Sequence, residues 1–126
     1  MSLPNDRRYA KTHEWVLPEG EEYLVGITDH AQEQLGDVVY VGDFQVGATL
    51  QAGDVAGLVE SVKAASDIFA PIAGTITAVN EAVIDAPELL NEEAYEAWIY
   101  RLRPDNTADW QTLLEGHEYD AVKDEG

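Results

Sequence analysis

The chain has 126 residues, 45% of them hydrophobic, with 25 acids against 7 lysines and arginines and no cysteine. A net charge of −18 excludes nucleic acid, whose phosphates must be met by cationic side chains, and it disfavours an anionic membrane surface. The missing cysteines remove disulfides, thiolate metal ligands and a cysteine nucleophile. The length suits one domain, 1–126, and a monomer is expected. No apolar run approaches the roughly 20 residues that cross a bilayer. Residues 1–6 lack the apolar stretch of a secretory signal, which points to the cytoplasm of a prokaryote, a matured mitochondrial form being the alternative.

Taken in order, the elements are short strands with few helices. The apolar runs 23–27 and 38–41 have strand length and suit a sheet covered on both faces. Between them, Asp29 caps a short helix, Gln32 completes a capping-box pattern and Gly36 stops it. Gly-Asp precedes an apolar residue at Gly36-Asp37-Val38, Gly42-Asp43-Phe44 and Gly53-Asp54-Val55, and each is expected to turn the chain into a strand. Residues 55–62 form a strand, 67–70 another ended by Pro71, and Gly74 opens the strand over 75–79. Residues 98–102 read as a strand, with Pro104 just beyond. Near the end, 108–114 suits a helix stopped by Gly116, and Tyr119 and Val122 suit a final turn. The termini, 1–5 and 123–126, are expected to be flexible. Many short strands with helices at the edges indicate a mainly β sandwich or barrel.

Charge singles out one residue. Lys63 is the only lysine or arginine between residues 12 and 100, a stretch that holds 17 acids. An isolated lysine is ordinarily a solvated surface residue. This one lies between two predicted strands, near a hairpin tip that would hold its amine clear of the domain. Such a tip suits covalent attachment of a carrier group. Other chemistry has weak support. His13, His30 and His117 lack metal-ligand spacing, residues 57–63 do not match a phosphate loop, and Ser61 and Ser66 have no paired base. No metal is expected. Trp15, Trp98 and Trp110 suit packing.

The residues around the lysine, Glu60-Ser61-Val62-Lys63-Ala64-Ala65-Ser66-Asp67-Ile68-Phe69-Ala70-Pro71 with Gly74 and Asn80, resemble the lipoyl-attachment motif of glycine cleavage H proteins. Two further stretches are similar to the same family. They are Thr12-His13-Glu14-Trp15-Val16 and the run from Gly26-Ile27-Thr28-Asp29-His30 through Leu35-Gly36-Asp37-Val38-Val39. Pro87-Glu88-Leu89-Leu90-Asn91 and the segment from Leu113-Leu114 to Tyr119 also fit. Biotin carriers flank their lysine with methionines and lipoyl domains of 2-oxoacid dehydrogenases carry Asp-Lys-Ala, whereas Val62 and Ala64 flank Lys63 here. One departure is Ala94-Tyr95-Glu96-Ala97-Trp98, where the family usually has a proline and a glycine and one residue more.

The resemblance implies a lipoyl/biotinyl-type barrel-sandwich hybrid with a short helix in the N-terminal half and helices at the C-terminal end. It implies lipoate in amide linkage to Lys63, with Glu60, Ser61, Val62, Ala64, Asp67 and Gly74 as the rest of the attachment motif. It implies a cleft for the loaded arm at Thr12, Glu14, Ala64 and Asp67, with Glu14 accepting a hydrogen bond from the arm's protonated amine. The implied partners are a pyridoxal-phosphate glycine decarboxylase (P protein), a tetrahydrofolate-dependent aminomethyltransferase (T protein), dihydrolipoyl dehydrogenase (L protein) and a lipoate-attaching enzyme. The chain would be a carrier and cosubstrate, not an enzyme. A lipoyl carrier for another relay and an unmodified interaction module are the alternatives. The acidity suits either a high-salt host or basic surfaces on partner enzymes.

Overall fold

The computed structural model describes residues 4–123. Of the ends expected to be flexible, 1–3 and 124–126 lie outside the described residues. Within them, the Pro4 carbonyl accepts a hydrogen bond from the Tyr9 hydroxyl at 2.6 Å, and Lys123 pairs with Asp120 at 2.8 Å.

Two antiparallel sheets carry the fold. The larger has six strands, β1 (Arg8–Tyr9), β2 (Glu14–Glu19), β3 (Glu22–Ile27), β9 (Tyr100–Pro104), β8 (Gly74–Val79) and β5 (Thr49–Leu50), in that spatial order. The smaller has β4 (Val38–Gly42), β6 (Val55–Ser61) and β7 (Ala65–Phe69). Between strands lie α1 (Asp29–Leu35), α2 (Glu81–Asp85) and α3 (Leu89–Glu92), and after β9 come a 3₁₀ turn (Thr107–Thr112) and α4 (Gly116–Val122). The inner faces of both sheets share one core, with Val16, Val25 and Leu102 from the larger packed with Val41, Val59 and Ile68 from the smaller. This is the mainly β barrel-sandwich expected.

Alternation explains β2 and β3. Glu14, Val16, Val25 and Ile27 face that core, while Trp15 and Leu24 point the other way into a second cluster with Tyr9 and Tyr119. Both faces of β3 are therefore covered, as its unbroken apolar run predicts. The similar run in β4 is not. A bulge between Val38 and Tyr40 turns Val39 and Tyr40 outward, and they are 56% and 42% exposed.

Other local expectations need correction. Thr28, not Asp29, is the N-cap of α1, because its hydroxyl accepts from the Ala31 amide at 3.2 Å. Gln32 instead bonds the Asp29 side chain at 2.7 Å. Gly36 does end the helix. Its φ of 80° and ψ of −155° fall in a region essentially restricted to glycine. Gly42-Asp43 leads into no strand, since Asp43 has φ 68° and Phe44 leaves the sheet to stack on Tyr100 at 5.3 Å. The strand expected at 98–102 begins two residues later and takes in Pro104. The helix expected at 108–114 is the 3₁₀ turn, and Gly116 starts α4 where it was expected to stop a helix. Glu115 and Glu118 form the capping box there. The segment Ala94–Trp98 closes its turn without proline. It is fastened by Trp15 Nε1 to the Ala94 carbonyl at 2.9 Å and Arg7 to the Tyr95 carbonyl at 2.7 Å.

Candidate functional site: a lysine hairpin beside a cleft

Strands β6 and β7 pair through Glu60 and Ala65, which leaves Val62 and Lys63 at the tip between Ser61 and Ala64. Tight two-residue hairpins favour left-handed residues, yet among the described non-glycine residues only His13 and Asp43 have positive φ. Ser61 supplies the closure. Its amide donates to the Ala64 carbonyl at 2.7 Å, and its hydroxyl oxygen accepts from the amides of Lys63 at 3.3 Å and Ala64 at 3.1 Å. The sequence predicts a hairpin here without the usual turn residues, and this hydroxyl is why one forms.

The tip is also braced from behind. The Val62 amide donates to the Asp37 carbonyl at 3.0 Å, although the Val62 side chain is 70% exposed. A Cβ added at Gly36 would sit 3.3 Å from Lys63 Cε, so the lysine stem lies across the end of α1. Asn91 clamps that same turn. Its amide nitrogen donates to the Gly36 carbonyl at 2.8 Å and to Gln32 Oε1 at 2.9 Å, and its oxygen accepts from the Val38 amide at 2.8 Å. Asn91→Ala removes all three bonds. The expected loss is about 2 kcal/mol, read as a lowered urea midpoint, with faster hydrogen exchange at the Val38 amide. An unchanged midpoint would show that the clamp is not needed.

Beside the tip, α1 and β7 border a cleft of about 280 Å³. It starts at Ala64, next to Lys63, and reaches Ile68 at its far end, where Thr12 and His13 also line it. At about 3.3 Å per residue of strand, those four steps span about 13 Å. Ile27, Ala31, Leu35, Ala64 and Ile68 give it small or apolar walls. Of the residues expected to form an arm cleft, Thr12, Ala64 and Asp67 therefore meet there.

Glu14 lies beneath the lining. It is 1% exposed, its carboxylate accepting from the Thr12 hydroxyl and, at 3.4 Å, from the Phe69 amide. Burial pushes this carboxyl up to about 7, against the opposing pull of the Thr12 and Phe69 hydrogen bonds. The buried Tyr100 phenol is raised in turn, first by its own desolvation and then by the Glu14 charge. Gly74, although part of the motif, opens β8 beyond the opposite end of β7 from Lys63 and pairs with Leu50 and Pro104. Glu60 is half-buried in β6 opposite Tyr40. At the start of α4, Glu115, His117 and Glu118 bring ligand atoms within 4.8 Å of one another, but both carboxylates serve the capping box. Among the described residues no helix is long and apolar enough to cross a membrane.

A family model described as Glycine cleavage H-protein matches residues 7–126. The chain belongs to the glycine cleavage H-protein family. Among curated relatives, the glycine cleavage system H protein of Bordetella pertussis is 59% identical over 122 residues, 97% of this chain and 98% of that one. That of Thermus thermophilus is 53% identical over 123 residues, 97% of this chain and 96% of that one. A crystal structure of a glycine cleavage system H protein from Mycobacterium marinum superposes with a TM-score of 0.86 at 38% identity, covering 97% of this chain and 99% of that one. The family reached from three separated motifs is thus the one found, and the match extends through the shortened Ala94–Trp98 segment. Glycine cleavage H proteins are carrier components, and the site brings together one presented amine and a cleft.

Proposed function

We propose that Lys63 carries lipoate in amide linkage and that the chain is the lipoylated carrier of glycine cleavage. It would take an aminomethyl group from glycine decarboxylase, offer it to the aminomethyltransferase and present the reduced dithiol to dihydrolipoyl dehydrogenase. The observation that carries this reading is an exposed lysine on a braced tip, at the mouth of a cleft that runs about 13 Å from it. When bound, the lipoyl group supplies a dithiol that holds the one-carbon unit and exchanges electrons.

The chain's own residues do the rest. Ser61 and the Gly36–Asp37 turn hold the lysine outward for a lipoate-attaching enzyme. The apolar walls suit the arm's methylenes. Thr12 and Asp67 are among the polar groups of the lining, with His13, Gln34 and Ser66, and Thr12 links the cleft to Glu14, whose ionised form would attract a protonated amine. Tethering raises the cargo's effective concentration at each partner enzyme. The chain itself is a cosubstrate, acting in the compartment of its partners, which we place in the bacterial cytoplasm.

Intact mass with peptide mapping, on protein from its own host, tests the assignment. The expected result is a lipoyl mass on the peptide containing Lys63 that disappears in Lys63→Arg. An unmodified Lys63 in cells whose other lipoyl proteins are modified would overturn it and favour an interaction module.

A further inference from the structure

The far end of the cleft is closed by a hydrogen-bonded group that the carrier reading does not use. His13 lines the cleft there with φ 77°, a left-handed backbone that an L-residue keeps only when its surroundings hold it. Two backbone bonds do so. The His13 amide donates to the Ala10 carbonyl at 3.0 Å, and its carbonyl accepts from the Thr28 amide at 3.0 Å. The ring is held as well, with Nδ1 2.6 Å from the Tyr119 hydroxyl and its centroid 4.8 Å from that of His30.

Tyr119 belongs to α4, at the other end of the chain, and is fully buried. Its hydroxyl also lies 2.8 Å from Thr28 Oγ1, the oxygen that caps α1. One hydroxyl thereby ties the turn carrying His13 to the first turn of α1, the two walls that face β7. One arrangement uses each hydrogen once, with Thr28 O–H donating to Tyr119 and Tyr119 O–H donating to His13 Nδ1, which leaves the ring proton on Nε2.

We propose that Tyr119 is a positioning residue, a latch that fixes His13 and the start of α1 and so sets how tightly the cleft closes around the end of a loaded arm. This rests on the carrier reading. The cargo is lost when one water gives ammonia and formaldehyde and returns the thiol, so a looser end wall shortens its life.

Tyr119→Phe tests the latch because it keeps the ring stacked on Tyr9, 5.1 Å away, and removes only the hydroxyl. Tyr9→Phe is the control, since it deletes a hydroxyl from the other ring of the stack that bonds the Pro4 carbonyl. In the unlipoylated chain, ¹⁵N shifts of His13 should report one tautomer in wild type and in Tyr9→Phe, and lose it in Tyr119→Phe. In lipoylated chains loaded from glycine by the decarboxylase, ammonia release should rise about fivefold in Tyr119→Phe, the factor one lost hydrogen bond represents. It should keep the wild-type rate in Tyr9→Phe, with equal lipoyl attachment in all three. His13→Asn, which retains a residue at ease with left-handed backbone, should show the same acceleration and stands in if Tyr119→Phe does not fold. Release at the wild-type rate in Tyr119→Phe and His13→Asn, or equal acceleration in the Tyr9 control, overturns the latch. A wild type that takes up no lipoyl mass overturns the carrier reading and the latch with it, a result that mass spectrometry separates from the others.

Discussion

Gly74→Ala is expected to cost more than about 4 kcal/mol, a large fraction of the stability of a chain of this size, and to lower its melting temperature by more than about 10 °C. An added Cβ would fall on the Arg103 carbonyl oxygen, with Arg103 C and Leu102 Cγ each 3.1 Å away. Those atoms belong to β9, whose pairing with β8 begins at Gly74 and Pro104, and β5 holds Gly74 from the other side through Leu50. Neither backbone can shift without opening a ladder. Gly47→Ala is the comparison. There the φ is 95° but no atom lies within 4 Å of the added carbon, so the cost should be the backbone term alone, about 1–2 kcal/mol. Thermal melts of the two variants separate crowding from backbone strain. A Gly74→Ala melt close to wild type would show that the strands can part, and Gly74 would then need another reason for its place in the motif.

That placement bears on how much of the site was legible. An attachment motif read along the sequence groups Gly74 with Lys63, but the two lie at opposite ends of the strand that separates them. Glu60 to Asp67 form the hairpin, while Gly74 serves the barrel the hairpin stands on. Strands at 23–27 and 75–79 were readable because apolar and β-branched residues dominate them, and Lys63 was readable because no other cation lies near it in sequence. The short helices α2 and α3 have too few turns for a periodic signal. Strands β1 and β5, two residues each, take their form from the neighbours they pair with. The outward turn of Val39 and Tyr40 comes from a bulge that no residue type announces. Tyr119 reads locally as a packing residue, and only the return of α4 to the first strand gives its hydroxyl a second task.

Glu14 was legible in part, and its depth makes it the sharpest test of the site. Period two along β2 puts it on the face of Val16, toward the core, where an apolar side chain would ordinarily stand. Its carboxyl is raised from an ordinary 4.5 to about 7 by burial, so the folded chain holds this proton more tightly than the unfolded one. Between those two values the folded state is protonated while the unfolded state is not, and the Glu14 contribution to stability falls as pH rises. Above about pH 7 the loss is complete and amounts to about 3 kcal/mol. Glu14→Gln keeps the shape, can accept from the Phe69 amide, can donate to Thr12 and never ionises. It should therefore be more stable than wild type at pH 8.5, by up to that amount, with the advantage vanishing toward pH 4. Urea titrations of both chains across this range give the difference directly, and the self-repulsion of the other acids cancels in it. A difference independent of pH would show that Glu14 does not titrate in the folded chain. On the proposed reading, the substitution that stabilises the fold also removes the charge available to the arm's amine, so loaded Glu14→Gln should release ammonia faster than wild type. On that reading, a carboxylate expected to weaken the fold at neutral pH is kept under the far end of the cleft for the arm's amine, stability and function pulling apart.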